Sequence, residues 1–260
     1  MNSLDLKIEN ALSAGTISIW YQPIYNRETN TFDAAEALMR LYDGEKMLPT
    51  FAAICRMEET GEIVRAGELV FEKVCCFIEK YEELVPPYIH VNLSCCQMRD
   101  IKNADSMIAI AKLHGVNPSR INLEITETTD CGEEGVLFVH KLLAEGFTFS
   151  LDDFGSCNSN CDRLLLYPVK VIKTSKHFID AAIQDKKAET ILNGVFHIAK
   201  SIHCEPVVEG IEDASQINRE FLLGVRYFQG NAFAKAMPEQ EYVQFLLNYR
   251  RAETRREPKS

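Results

Sequence analysis

INLEITETTDCGEEGVLFVHKLLAEGFTFSLDDFG, residues 121–155, carries two short β-rich runs, 121–126 and 147–151, on either side of a stretch of helical period, 134–145. Strand, helix, strand is the repeating unit of a parallel sheet, because parallel neighbours need a long crossover that a helix supplies. The second run closes on Asp152 and Asp153, adjacent like charges at the end of an apolar strand. Such charges repel one another, so the pair points to a cation partner.

The alternation extends in both directions. Further strand candidates lie at 17–24, 35–41, 88–93, 169–172, 206–211 and 226–229, and further helix candidates at 66–81, 104–114, 179–202 and 214–223. Eight strands with interleaved helices in a chain of 260 residues predict a (β/α)8 TIM-like barrel. A hydrophobic content of 46% is enough to bury its core. Pro86-Pro87 reads as a turn before the third strand. No repeat, low-complexity linker or domain boundary interrupts the pattern, so residues 1–260 are expected to form a single domain. Residues 1–15 would be a helical lead-in, and 250–260 a polar tail ending a helix or leading to a further segment.

Polar residues at the ends of apolar strands carry the chemistry. Glu36, Asn92, Glu124, Asp152, Asp153, Lys173, Glu209 and Gln229 each fall within or at the end of a predicted strand. Taken singly they have bland explanations: a solvated Glu on an outer face, an Asn in a turn, a rim lysine. Together they come from seven consecutive strands, and a barrel gathers such ends at one mouth, where active sites form. Five carboxylates and an amide oxygen are hard donors suited to Mg²⁺ or Mn²⁺, and the ligand count fits two ions better than one. Such a pair activates water and stabilises a phosphodiester oxygen during in-line displacement. Lys173 would either hold the attacking water or offset developing phosphoryl charge.

A formal charge of -10 argues against a long nucleic-acid partner, which requires a broad basic face. No apolar run has the length of a membrane span and the N-terminus has no signal-peptide character, so a cytoplasmic location is expected. The nine cysteines form adjacent pairs and scattered singles, with only Cys157 and Cys161 closely spaced in a polar loop. Reduced, structural thiols are therefore expected.

The ordered motifs resemble the EAL-domain family of cyclic-di-GMP phosphodiesterases over most of the chain. Tyr21-Gln22-Pro23-Ile24 is followed by Glu36-Ala37-Leu38 and Arg40; then come Asn92-Leu93-Ser94, Glu124-Ile125-Thr126-Glu127 and Asp152-Asp153-Phe154-Gly155. Lys173, Glu209-Gly210-Ile211-Glu212 and Gln229-Gly230 complete the order. The resemblance implies a first strand antiparallel to the others and hydrolysis of cyclic di-GMP to linear pGpG. Glu36, Asn92, Glu124 and Asp152 would hold one metal, and Asp152, Asp153 and Glu209 the other. Lys173 and Glu209 would orient or deprotonate the attacking water. Gln22, Leu38, Arg40, Glu212 and Gln229 would contact or frame the dinucleotide, and Glu127 would anchor the loop after Asp152-Asp153-Phe154-Gly155. A homodimer and a regulatory domain or protein partner are implied in the same way.

Two departures matter. The loop reads Ser156-Cys157-Asn158-Ser159-Asn160-Cys161 and lacks the family's second glycine, and Thr174-Ser175 stand where Ile-Asp usually follows the lysine. They motivate a second reading, a receptor module that binds the dinucleotide with weak turnover or none. A third reading, a protein-interaction domain that has lost both nucleotide and catalysis, would be favoured by an exposed apolar patch on a helix.

Overall fold

The computed structural model describes residues 3–126, 131–155 and 161–256. Helix α1 (Ser3–Ser13) leads into strands β1 (Ile17–Asn26) and β2 (Thr31–Asp43), a long antiparallel pair. A two-residue strand, β3 (Lys46–Met47), folds back on β2 and precedes helices α2 (Thr50–Thr60) and α3 (Glu62–Lys80). Strand β4 (Tyr88–Leu93) leads to α4 (Cys95–Met98) and α5 (Ile101–Leu113), and β5 (Ile121–Thr126) to α6 (Gly132–Ala144). Strand β6 (Thr148–Phe154) is followed by α7 (Asp162–Leu166), and β7 (Val171–Thr174) by α8 (Lys176–Gln184) and α9 (Lys186–Ser201). Strands β8 (Glu205–Val208), β9 (Tyr227–Gln229) and β10 (Met237–Pro238) and helix α10 (Glu239–Arg256) end the fold.

The sheet closes on itself. Strands β2, β4, β5, β6, β7, β8 and β9 are parallel neighbours in that order, and β1 joins β9 to β2 antiparallel to both. The expected TIM-like barrel with a reversed first strand is therefore present. Period-two alternation sorts its side chains. Ile89, Val91, Leu93, Leu123, Phe149 and Leu151 face outward and share a core with helix residues such as Phe71, Val74, Met107 and Phe138. Inside, Ile24, Ala34 and Val207 form an apolar cluster with Val171 and Tyr227.

Several elements differ from the sequence expectation. The helix expected at 179–202 is broken at Asp185, whose side chain accepts from the Lys187 amide and starts α9 afresh. The stretch 214–223 forms two 3₁₀ turns, Ala214–Asn218 and Glu220–Leu222, separated by Arg219 in an extended conformation. The strand expected at 206–211 leaves the sheet after Val208, and Gly210 then turns at φ +73°. Helix α10 continues into the expected tail, as far as Arg256. The expectation of reduced thiols is corrected at one pair: Cys95 and Cys131 form a disulfide with Cα atoms 5.3 Å apart. Each cysteine lies at the start of a helix after one of two adjacent barrel strands, so the direct pairing of β4 with β5 unites residues that sequence spacing holds apart.

Candidate active site

Strand β6 solves a geometric problem. Neighbouring strand residues point to opposite faces, so Asp152 and Asp153 in a regular strand could not serve one site. The register between β6 and β7 slips between Leu151 and Phe154, leaving Asp152 and Asp153 opposite Lys173 alone, with Asp153 at φ +55°. This bulge re-aims the second carboxylate, and Asp is among the few residues that tolerate the left-handed region. Carboxylate oxygens of Asp152, Asp153 and Glu209 consequently lie within 4.8 Å of one another.

Lys173 stands at the centre, fully buried. Its Nζ lies 2.6 Å from Glu209, 2.8 Å from Glu124, 3.1 Å from Glu36 and 3.8 Å from Asp152. Burial alone would lower the lysine pKa, but the carboxylates outweigh it and hold the ammonium charged, well above the usual range. Burial would raise the Glu124 carboxyl, yet Lys173 and a hydrogen bond from His90 bring it down to about 2. Four carboxylates around one ammonium still leave excess negative charge. Burial and that excess, only partly offset by Lys173, raise Asp152 and push Glu209 up to about 7.

A fan of amides holds the first carboxylate. Glu36 accepts from Asn92 Nδ2 at 2.9 Å and from Gln229 Nε2 at 2.7 Å, besides Lys173. Gln229 Nε2 also reaches Gln22 Oε1 at 3.2 Å, and Gln22 Nε2 donates to the Ala234 carbonyl. A cleft of about 260 Å³ opens beside these groups, lined by Gln22, Glu36, Leu38, Glu209, Glu212 and Gln229 together with Lys176 and Asn231. Lys176 pairs with Glu212 at 3.2 Å across its edge. Arg40 is not part of that lining; its guanidinium stacks over Trp20, 5.4 Å from the ring centroid, two residues beyond Leu38 on β2.

The geometry thus gathers Glu36, Asn92, Glu124, Asp152, Lys173, Glu209 and Gln229 into one network and sets Asp153, Gln22, Leu38 and Glu212 beside it. Glu127 and residues 156–160 lie outside the described residues. Lys173 keeps its central place although Ser175 replaces a carboxylate; the Ser175 side chain instead caps α8 by accepting from the Phe178 amide. Sequence reasoning passes over His90 and Lys176. A histidine in the apolar run Tyr88–Leu93 looks like an ordinary core residue, and the usable signal was its two-residue spacing from Asn92, which sets both on the inner face.

Comparison with known proteins identifies the family of the chain. The model of the EAL domain family matches residues 5–236. This chain belongs to that family. It is 28% identical over 243 residues to the oxygen sensor protein DosP of Escherichia coli (strain K12), covering 92% of this chain and 30% of DosP. It is 27% identical to the bifunctional diguanylate cyclase/cyclic di-GMP phosphodiesterase MucR of Pseudomonas aeruginosa, covering 91% of this chain and 35% of MucR. The EAL chain thus spans about a third of these relatives. The solved PaMucR phosphodiesterase in complex with c-di-GMP superposes with a TM-score of 0.83 at 26% identity, over 93% of this chain and 100% of that one. The EAL enzyme Bd1971, at 21% identity over 94% of this chain and 68% of that one, shares the fold with a TM-score of 0.87. Among the described residues, no helix is long and apolar enough to cross a membrane.

Proposed function

We propose that this chain is a phosphodiesterase that opens cyclic di-GMP to linear pGpG with the help of two Mg²⁺ or Mn²⁺ ions. The observation that carries the reading is the bulge on β6, which brings Asp152 and Asp153 together with Glu209 from the end of the β8 strand, against a buried lysine. A left-handed Asp and a crowd of carboxylates are costly arrangements that a folding core has no use for. The donor set fits hard divalent ions, since every carboxylate supplies oxygen and the excess negative charge is what a cation would relieve. Glu36, Asn92, Glu124 and Asp152 would hold one ion, and Asp152, Asp153 and Glu209 the other. Bound there, the ions supply Lewis acidity toward a phosphodiester oxygen and acidify a water.

The protein's own groups do the rest. Glu209 and Lys173, 2.6 Å apart, would orient or deprotonate the attacking water. Lys173 offsets charge developing on the phosphoryl group, and Gln22, Leu38, Arg40, Glu212 and Gln229 frame the dinucleotide above it. Residues 1–260 form one domain in this reading, working in the cytoplasm as a homodimer or under a regulatory partner. The test is incubation of the purified chain with cyclic di-GMP and Mg²⁺ or Mn²⁺, with products separated by chromatography. Conversion to pGpG that chelator and Asp152→Ala both abolish is the expected result, and undiminished turnover in either case would sink the assignment. The second reading, a dinucleotide receptor, is favoured by Ser175 serving as a helix cap where a carboxylate would stand. Tight binding of cyclic di-GMP without conversion in any divalent ion would select it.

A further inference from the structure

The polar groups inside a barrel fall into layers, and one histidine lies a layer below the carboxylates. His90 is on β4, two residues before Asn92, so both project inward. In the parallel register Asn92 pairs with Glu124 while His90 pairs with Asn122, one step further from the mouth. His90 is 4% exposed and Glu124 is 0% exposed. Its Nδ1 lies 2.7 Å from Glu124 Oε1. Because an ionised carboxylate only accepts hydrogen bonds, Nδ1 must carry the proton. Lys173 Nζ reaches the same carboxylate at both oxygens, 2.8 Å to Oε1 and 3.0 Å to Oε2.

Lysine alone would let Glu124 pivot, since an ammonium on a flexible stem behaves as a point charge with rotatable donors. A planar ring wedged between strands is a fixed donor. It bonds Oε1 from the layer below, so it restrains the carboxylate that Lys173 alone would leave free to turn. The layer around it is already organised: Ser150 Oγ donates to Asn122 Oδ1 at 2.6 Å, and Asn122 Nδ2 donates to Thr148 Oγ1 at 3.1 Å.

We infer that His90 is a positioning residue of the metal site: its Nδ1–H fixes the orientation of Glu124, and thereby sets the affinity of the site for a divalent cation. The inference rests on the metal-dependent reading above. Partners that orient a metal ligand from behind typically govern affinity by about ten- to a hundredfold. The role differs from that of a merely satisfied core histidine, because removing it would leave the protein folded with a mispositioned ligand.

The experiment measures Mn²⁺ binding to the full chain by calorimetry without nucleotide, for the wild type, His90→Leu and His90→Asn. Asparagine places Nδ2 near the position of the ring Nδ1 and keeps the donor, whereas leucine keeps volume and loses it. The expected result is Mn²⁺ affinity about ten- to a hundredfold weaker in His90→Leu and restored to within a few-fold in His90→Asn, with similar melting temperatures in chelator. Equal Mn²⁺ affinity in wild type and His90→Leu would overturn the inference and leave the metal site standing. No Mn²⁺ binding by the wild type would overturn both. If His90→Leu does not fold, ¹⁵N spectra of the wild-type histidines decide the matter. An Nδ1–H tautomer at His90 whose resonance moves when Mg²⁺ is added supports the role; the other tautomer, or no response to Mg²⁺, refutes it.

Discussion

Lys173 holds together carboxylates that would otherwise drive one another apart. Removing one partner from a buried charge cluster leaves the others uncompensated, at a cost of roughly 3 to 5 kcal/mol. Lys173→Met is therefore expected to lower the stability of the chelated protein by about that amount and to abolish turnover. Mg²⁺ or Mn²⁺ should restore much of the lost stability, because a cation can replace the ammonium as counter-charge. Melting curves with and without metal check this, and a stability unchanged in chelator would contradict the central position of the lysine. The same cluster gives the metal-free protein an unusual pH profile. Glu209 titrates near 4.5 when unfolded and about 7 when folded, so between those values the folded state holds a proton that the unfolded state has released. Stability in chelator is then expected to fall as pH rises from about 4.5 to about 7, and Asp152, also raised, acts in the same sense. Glu124, lowered to about 2, acts oppositely at lower pH, where stability rises between about 2 and 4.5. Metal binds the deprotonated carboxylates, so stabilisation by Mg²⁺ should grow with pH across the upper window. A melting temperature that rises steadily from pH 5 to 7 in chelator would disprove this balance.

At the scale of elements, two backbone features aim the site. One is the bulge on β6; the other is the close passage of the β9 end over the segment after β8. A Cβ at Gly230 would stand 2.1 Å from the Ile211 carbonyl oxygen and 2.4 Å from its nitrogen. Backbone atoms cannot turn aside as side chains can, so the two segments would have to separate. Gly230→Ala is expected to cost roughly 1 to 3 kcal/mol, and to weaken substrate binding more than metal binding, since Gln229 moves with its neighbour. Chemical denaturation and parallel titrations with Mn²⁺ and cyclic di-GMP check the split; a neutral substitution would mean that this crossing is not held tightly. Such features mark the limit of what the sequence discloses. The apolar runs and their polar ends were legible because period-two patterning and the cost of burying charge are local properties. The register slip that sets Asp152 and Asp153 on one side was not, because it depends on how β7 pairs with β6. The stretch 214–223 misled for a similar reason: Asp213 and Gln216 form a capping box that starts a turn, and the chain then straightens at Arg219.

For the whole molecule, parallel pairing of successive strands brings consecutive βα units side by side, and one covalent link exploits it. Cys95 follows the strand that carries His90 and Asn92, while Cys131 opens the helix after the strand that carries Glu124. No spacing rule could have paired them, because their proximity comes from the order of strands around the barrel. The link closes a loop with a sequence separation of 36, which in the chain-entropy account stabilises the fold by about 4 kcal/mol. Both cysteines are 3% exposed, so reduction requires local opening rather than direct attack by a thiol in solution. Cys95→Ser is accordingly expected to be less stable than the wild type by roughly 2 to 4 kcal/mol under non-reducing conditions, and equal to it after unfolding and refolding in dithiothreitol. Peptide mapping under non-reducing conditions should recover the fragments holding Cys95 and Cys131 as one species. Two separate fragments with free thiols, together with a Cys95→Ser variant as stable as the wild type, would show that the two units are held by packing alone. In that event the positions of Asn92 and Glu124 would rest on the strand register and the buried network around Lys173, without covalent support.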